Sequence, residues 1–192
     1  MTMKFRNNTP SRRKDQKNYA DYHAYRESLR IDFNACCGHC DDPERFSDVP
    51  YQIDHFVPKD AIKTIAENDY DNLVFACRRC NRAKWNKWPL GDENIHNNGV
   101  IGFVDPCDPE YDRQFERNDR GEIIPTTPLG NWMWIELDLG NAAHRIIWTL
   151  SQLREEIDVI SQNTQASVDA RIALLCNQYF TLEDQLKGAP QR

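Results

Sequence analysis

Two matched cysteine pairs, Cys37-x-x-Cys40 and Cys77-x-x-Cys80, constrain this chain more than any other feature, with 36 residues between them. Four thiolates in this two-plus-two arrangement can hold one Zn²⁺ tetrahedrally, and soft sulfur selects zinc over hard cations. A closed set of four cysteines leaves no open coordination position, so the zinc it predicts is structural. Such a metal staples a segment too short to carry a sufficient core of its own. Ordinary core cysteines are the bland alternative, and two matched spacings argue against it. Cys36 is a second choice for the place of Cys37, while Cys107 and Cys176 read as plain thiols. His39 lies inside the first turn and reads as a bystander to four sulfur ligands.

Forty percent of the 192 residues are hydrophobic and ten percent aromatic, enough for a packed core. No run approaches the roughly 20 apolar residues that span a bilayer, and no apolar leader precedes the cysteines. A cytoplasmic, reducing setting is expected, in which paired Cys-x-x-Cys spacings read as metal ligands. The net charge of −6 hides an asymmetry. Residues 1–88 carry 16 Lys and Arg against 13 Asp and Glu, whereas residues 89–192 carry 8 against 17. Between Arg78 and Lys87 there is no acid at all. Local potential rather than total charge steers a polyanion, so the cysteine segment is the candidate to meet one.

The chain divides into three parts. Residues 1–18 are basic and polar and read as a flexible arm. Residues 19–90 form the zinc-stapled module. Tyr22, Tyr25, Leu29 and Phe33 predict a helix before the first pair. Strands are expected over 49–57 and 73–76, with a short helical piece at 61–66. A basic helix should run from Cys80 to Trp85 or Trp88, closed by Pro89. Residues 91–192 read as a strand over 99–104, a hairpin about residues 118–121 and two amphipathic helices. Ile146, Ile147, Leu150, Leu153, Ile157 and Ile160 mark the first helix; Val168, Ile172, Leu175, Tyr179 and Leu182 mark the second. An antiparallel pairing of the two is expected. The fold class is therefore α+β.

Between the cysteine pairs lies Tyr51-Gln52-Ile53-Asp54-His55, and Asn81 follows Cys80 directly. Phosphodiester hydrolysis needs an activated water and compensation of developing charge, which an imidazole and a carboxylate near a cation can supply. Asp and Asn oxygens are hard ligands suited to Mg²⁺ or Mn²⁺. The ordered run Ile53-Asp54-His55-Phe56-Val57-Pro58, Asp71-Asn72-Leu73-Val74 and Cys77-Arg78-Arg79-Cys80-Asn81-Arg82-Ala83-Lys84 resembles the HNH endonucleases, in particular their zinc-stapled branch with the ββα-metal fold. The likeness covers residues 34–88. It implies His55 as general base, Asp54 and Asn81 as holders of a catalytic divalent cation, and Asn72 as the residue that orients the imidazole through its carbonyl. Many members have His where this chain has Asn81, a difference expected to alter metal preference. The resemblance further implies cleavage of nucleic acid, taken as DNA, to 5′-phosphate and 3′-hydroxyl ends.

Lys84, Arg78, Arg79 and Arg82 are the candidate phosphate contacts, with Lys84 favoured because it lies one turn beyond Asn81; the alternative is a solvated helix face. Trp85 and Trp88 could stack on bases, but packing against the rest of the chain is the preferred reading. His23, His96 and His144 show no partner spacing. Asp105, Asp108, Glu110 and Asp112, interleaved with Pro106 and Pro109, read as a turn-rich loop. The acidic C-terminal helices suit docking on a protein partner or a second copy, as in small HNH proteins that act in bacterial anti-phage systems. The rival function is an inactive, zinc-dependent module that binds nucleic acid or protein on the same fold.

Overall fold

The hairpin carrying Asp54 and His55 is short and buried. Strand β2 (Gln52–His55) pairs antiparallel with β3 (Leu73–Ala76), Gln52 opposite Ala76 and His55 opposite Leu73. All four β3 residues are apolar and buried, as a strand covered on both faces requires. The computed structural model describes residues 2–161 and 166–188. Ahead of the hairpin, a single 3-10 turn over Tyr22–Tyr25 leads into helix α1 (Arg26–Asp32). Tyr25, Leu29 and Phe33 recur at every fourth position and are all buried. The first cysteine turn follows. Gly38 is required there, because a Cβ would stand 2.7 Å from the Phe33 ring and 2.8 Å from Val74.

Behind β3, helix α2 (Arg78–Lys84) starts two residues earlier than its sequence suggests. Cys77 caps it, the sulfur accepting the Cys80 backbone N–H at 3.4 Å. The helix stops at Trp85, whose backbone turns to φ +50°. The first cysteine turn, β2, β3 and α2 make a ββα arrangement within an α+β fold.

Two expected elements are absent. Residues 61–66 are a loop because the Glu93 carboxylate, about thirty residues away, accepts the backbone N–H groups of Lys63 and Thr64 and the Thr64 hydroxyl. These bonds give the loop's donors a partner without a helix. Residues 99–104 contribute one bridge, Asn97 to Gly102, rather than a strand. Gly102 lies at φ +113° with the His96 carbonyl 2.2 Å from where a Cβ would be, which bends the segment away from extended pairing.

The N-terminal residues are not a free arm. Strand β1 (Thr2–Lys4) pairs with β4 (Phe115–Asn118), and β4 pairs with β5 (Ile123–Pro125), in the order β1-β4-β5. Phe5 is buried against Tyr111 and Phe115. Arg6 donates to the carbonyls of Gly38 and Pro106, and Arg12 to that of Leu73 while pairing with Asp105. Guanidinium groups that read as a basic arm are spent as clamps on backbone carbonyls.

The core continues past residue 90. Trp88 stacks on Phe103, and Phe103 meets Trp132 edge-on. Helix α3 (Pro109–Asp112) is a single turn, and α4 (Pro128–Glu136) is capped by Thr127, whose hydroxyl accepts the Gly130 N–H at 2.8 Å. Helices α5 (Ala142–Ser161) and α6 (Ala166–Gly188) run antiparallel, as the pairing of Glu156 with Arg171 near their shared end shows. Ala143, Ile146, Ile147, Leu150 and Leu175 form the buried side; the Val168 side chain lies outside what the structure describes. Among the described residues, no helix is long and apolar enough to cross a membrane.

Arg117 joins three segments at once: its buried guanidinium donates to the carbonyls of Phe5, Cys40 and Gly121. Arg117→Met would strand these acceptors, each unpaired group costing about 1–3 kcal/mol. Urea unfolding should therefore show a loss of about 3 kcal/mol or more; a loss below about 1 kcal/mol would mean that water replaces the clamp.

Candidate active site

Cys37 and Cys40, from the turn after α1, meet Cys77 and Cys80 at the start of α2. All four are buried, their sulfurs lie within 4.8 Å of one another, and Cys40 is 3.8 Å from Cys77. A tetrahedron with Zn–S bonds of about 2.3 Å has edges of about 3.8 Å, so the donor set fits zinc. A disulfide would need about 2.05 Å. Cys36 stays outside the cluster, donating to the Asn34 carbonyl, its thiol pushed up to about 12 chiefly by burial.

His55 ends β2. Its Nε2 lies 2.8 Å from the Glu67 carbonyl, which can only accept, so Nε2 carries the proton and Nδ1 keeps a lone pair. Tyr22 packs edge-on against the ring at 4.8 Å. Burial lowers the imidazole below its ordinary 6.5, with nearby Lys59 acting in the same direction. A neutral, oriented imidazole with one open nitrogen is the form that can take a proton from water.

Asn72 works differently from the expectation. Its side-chain carbonyl accepts the Val57 N–H at 2.8 Å, its amide donates to the Val57 carbonyl at 3.0 Å, and its backbone carbonyl accepts the Phe56 N–H. None of these bonds is to the imidazole. Asn72 latches the two residues after His55, and the Glu67 carbonyl sets the ring.

Asp54 points to the opposite face of β2 from His55, as successive strand residues must. There it is 4% exposed, with Lys84 Nζ 3.0 Å from Oδ1 and His39 Nε2 2.9 Å from Oδ2. Burial alone would raise its pKa, but Lys84 and then His39 outweigh that and hold it below 3.8. Lys84 is fully enclosed and also donates to the His55 carbonyl at 2.7 Å. It is thus no phosphate contact: the helix turn that places it beyond Asn81 aims it inward. His39, read as a bystander, is the second partner of Asp54.

Asn81 is half-buried and donates to Gln52 at 2.8 Å. The Asp54/Asn81 pair as arranged does not fit a divalent cation, because both Asp54 oxygens are engaged and the Lys84 ammonium already supplies positive charge. A further grouping of Cys40, Asp42 and His144 shares Cys40 with the zinc set. In it His144 and Asp42 form a buried pair at 2.6 Å that ties α5 to the cysteine turn.

Arg78 and Arg82 are exposed and Arg79 half-buried. All three line a cleft of about 170 Å³ between α2 and α6, together with Arg45, Lys187 and Glu183. His55 is not part of that cleft. Of the two tryptophans, Trp88 packs inside as expected, whereas Trp85 is 71% exposed.

Residues 37–87 match the family model described as HNH endonuclease, which identifies this stretch as an HNH domain. No curated protein and no solved structure matches the chain.

The buried Lys84–Asp54 pair makes a stability prediction. Lys84→Met leaves a carboxylate buried without its cation, a change worth about 3–5 kcal/mol. Asp54→Asn combined with Lys84→Met should recover part of that loss in urea unfolding. Because the folded Asp54 has the lower pKa, its contribution is complete above the unfolded value of 3.8 and is lost as pH falls through the folded one. The double variant should lack this acid slope; an unchanged slope would place its origin elsewhere.

Proposed function

We propose that this chain hydrolyses nucleic-acid phosphodiester bonds with His55 as general base. The observation that carries the reading is the imidazole itself: Nε2–H committed to the Glu67 carbonyl, Nδ1 open, and the neutral form favoured by burial. The match of residues 37–87 to the HNH endonucleases supplies the reaction class. Water attacks phosphorus as its proton passes to Nδ1. The P–O3′ bond breaks, the leaving 3′-oxygen takes a proton from solvent, and the other product keeps a 5′-phosphate. Arg78, Arg79 and Arg82 are the phosphate contacts in this reading.

In its finer form, which rests on the resemblance, the substrate is DNA, the reaction uses Mg²⁺ or Mn²⁺ without the Asp54/Asn81 pair as arranged here holding it, and the protein is a cytoplasmic effector of a bacterial defence system. The C-terminal helices then meet a protein partner or a second copy, in keeping with exposed Leu174 and Phe180 on α6. One observation favours the rival reading, a binding module without activity: the Asp54 carboxylate is closed off by Lys84 and His39.

Cleavage of supercoiled plasmid with Mg²⁺ or Mn²⁺ decides between them, once wild type and His55→Ala are shown to carry equal zinc. Loss of the base should lower the rate by about 10²–10⁴. Equal rates would remove His55 from the chemistry, and a zinc-loaded wild type without activity would favour the binding module.

The pH profile is a second test. A base must be unprotonated to act, and burial sets His55 below 6.5, so activity should persist beneath that pH before its acid limb falls. An acid limb centred above 6.5 would contradict the assignment.

A further inference from the structure

We infer that Trp85 is a stacking platform for an unpaired nucleobase of the strand whose phosphates lie along Arg78 and Arg82. This rests on the nucleic-acid reading above and goes beyond it by naming the substrate feature recognised. Three observations converge. The indole is 71% exposed, although the other aromatic at the end of this segment, Trp88, is buried against Phe56 and Phe103. An indole left in water forgoes the favourable burial that most large rings find.

The backbone is the second observation. Trp85 sits at φ +50°, ψ −128°, close to the first central position of a type II′ turn, where glycine is the favoured residue. A bulky side chain in that conformation is an outlier of the kind that concentrates at functional sites. The adjoining geometry leaves little slack: the Trp85 N–H closes onto the Asn81 carbonyl at 2.9 Å, and Lys84 beside it is locked to Asp54 and His55. The indole is therefore presented from the end of α2, whose last residue, Lys84, holds the His55 backbone carbonyl.

The third observation is charge. Arg78 and Arg82 lie one turn apart on α2, and Trp85, three positions on, is the residue at which that helix ends. Both arginines are exposed, and no acid occurs between residues 78 and 87. Arginines that track a backbone beside an aromatic that meets a base are the elements of single-strand recognition. In duplex the base faces are already stacked, so Trp85 selects a base that is unpaired, frayed or flipped out.

The test is anisotropy of a labelled single strand of about 12 nucleotides and of a blunt duplex, with the full zinc-loaded chain as wild type, Trp85→Gly and Trp85→Phe. Chelated buffer without Mg²⁺ prevents turnover, and zinc content is checked afterwards. Trp85→Gly should weaken single-strand binding about five- to a hundredfold. Trp85→Phe should stay within about threefold of wild type, and duplex binding should change least. Trp85→Gly should also melt no lower than wild type, since glycine suits the backbone; this separates lost stacking from lost folding.

Wild type and Trp85→Gly binding the single strand equally would overturn the stacking assignment alone and leave the ring to a protein surface. Wild type binding neither oligonucleotide at low salt would overturn the nucleic-acid reading and the stacking with it.

Discussion

The four-thiolate clamp is the constraint on which the other parts of this fold depend. The cysteine turn it fixes is the chain's main junction. The carbonyl of Gly38 receives Arg6, that of His39 receives the Tyr111 hydroxyl, and that of Cys40 receives Arg117. Asp42 pairs with His144 from α5, and its carbonyl accepts the Tyr51 hydroxyl. Five contacts, four of them from distant parts of the sequence, thus converge on four residues of the stretch 38–42. A tight turn exposes more backbone acceptors than its own ladder can satisfy, and burying it demands donors from elsewhere. Arg6 just after β1, Tyr111 of α3, Arg117 of β4 and Tyr51 supply them, so a metal held by the four cysteines would be coupled to tertiary assembly.

The same turn reaches β2 through His39. Because β2 alternates, Asp54 and His55 serve opposite faces: His55 opens toward Tyr22 and Glu67, Asp54 closes into the interior between the zinc turn and α2. The cysteine turn is thereby one hydrogen bond from the carboxylate, and the carboxylate is one ion pair from Lys84, which holds the His55 carbonyl. His55 is positioned by this chain of contacts on its backbone, by Asn72 on the residues after it, and by Glu67 on its ring.

Much of this was legible in the sequence. The cysteine spacing indicated the four-sulfur cluster, and apolar patterning together with the turn residues at 118–121 indicated α1, β3, the β4–β5 hairpin and the α5–α6 pair. What misled was treating charge as surface. Arg6, Arg12 and Lys84 are drawn inward because each finds carbonyls or a carboxylate that only tertiary folding brings near. Strand alternation was the available signal for Lys84: if His55 and Asp54 face opposite ways, a buried Asp54 needs a cation from the helix packed on it. No local signal shows that His39 and His144 find carboxylates 15 and 102 residues away. Helix α4 carried a readable start, Thr127 followed by Pro128, and was missed because four aromatic and apolar residues in succession blur its periodicity.

The account turns on which nitrogen of His55 carries the proton. Long-range ¹⁵N–¹H correlation NMR on the zinc-loaded protein across about pH 5–8 reads the tautomer and its titration directly. A neutral ring protonated at Nε2, with a midpoint below 6.5, is predicted from the Glu67 contact and the burial. A ring protonated at Nδ1, or one already charged at about pH 7, would contradict the assignment of His55 as the general base.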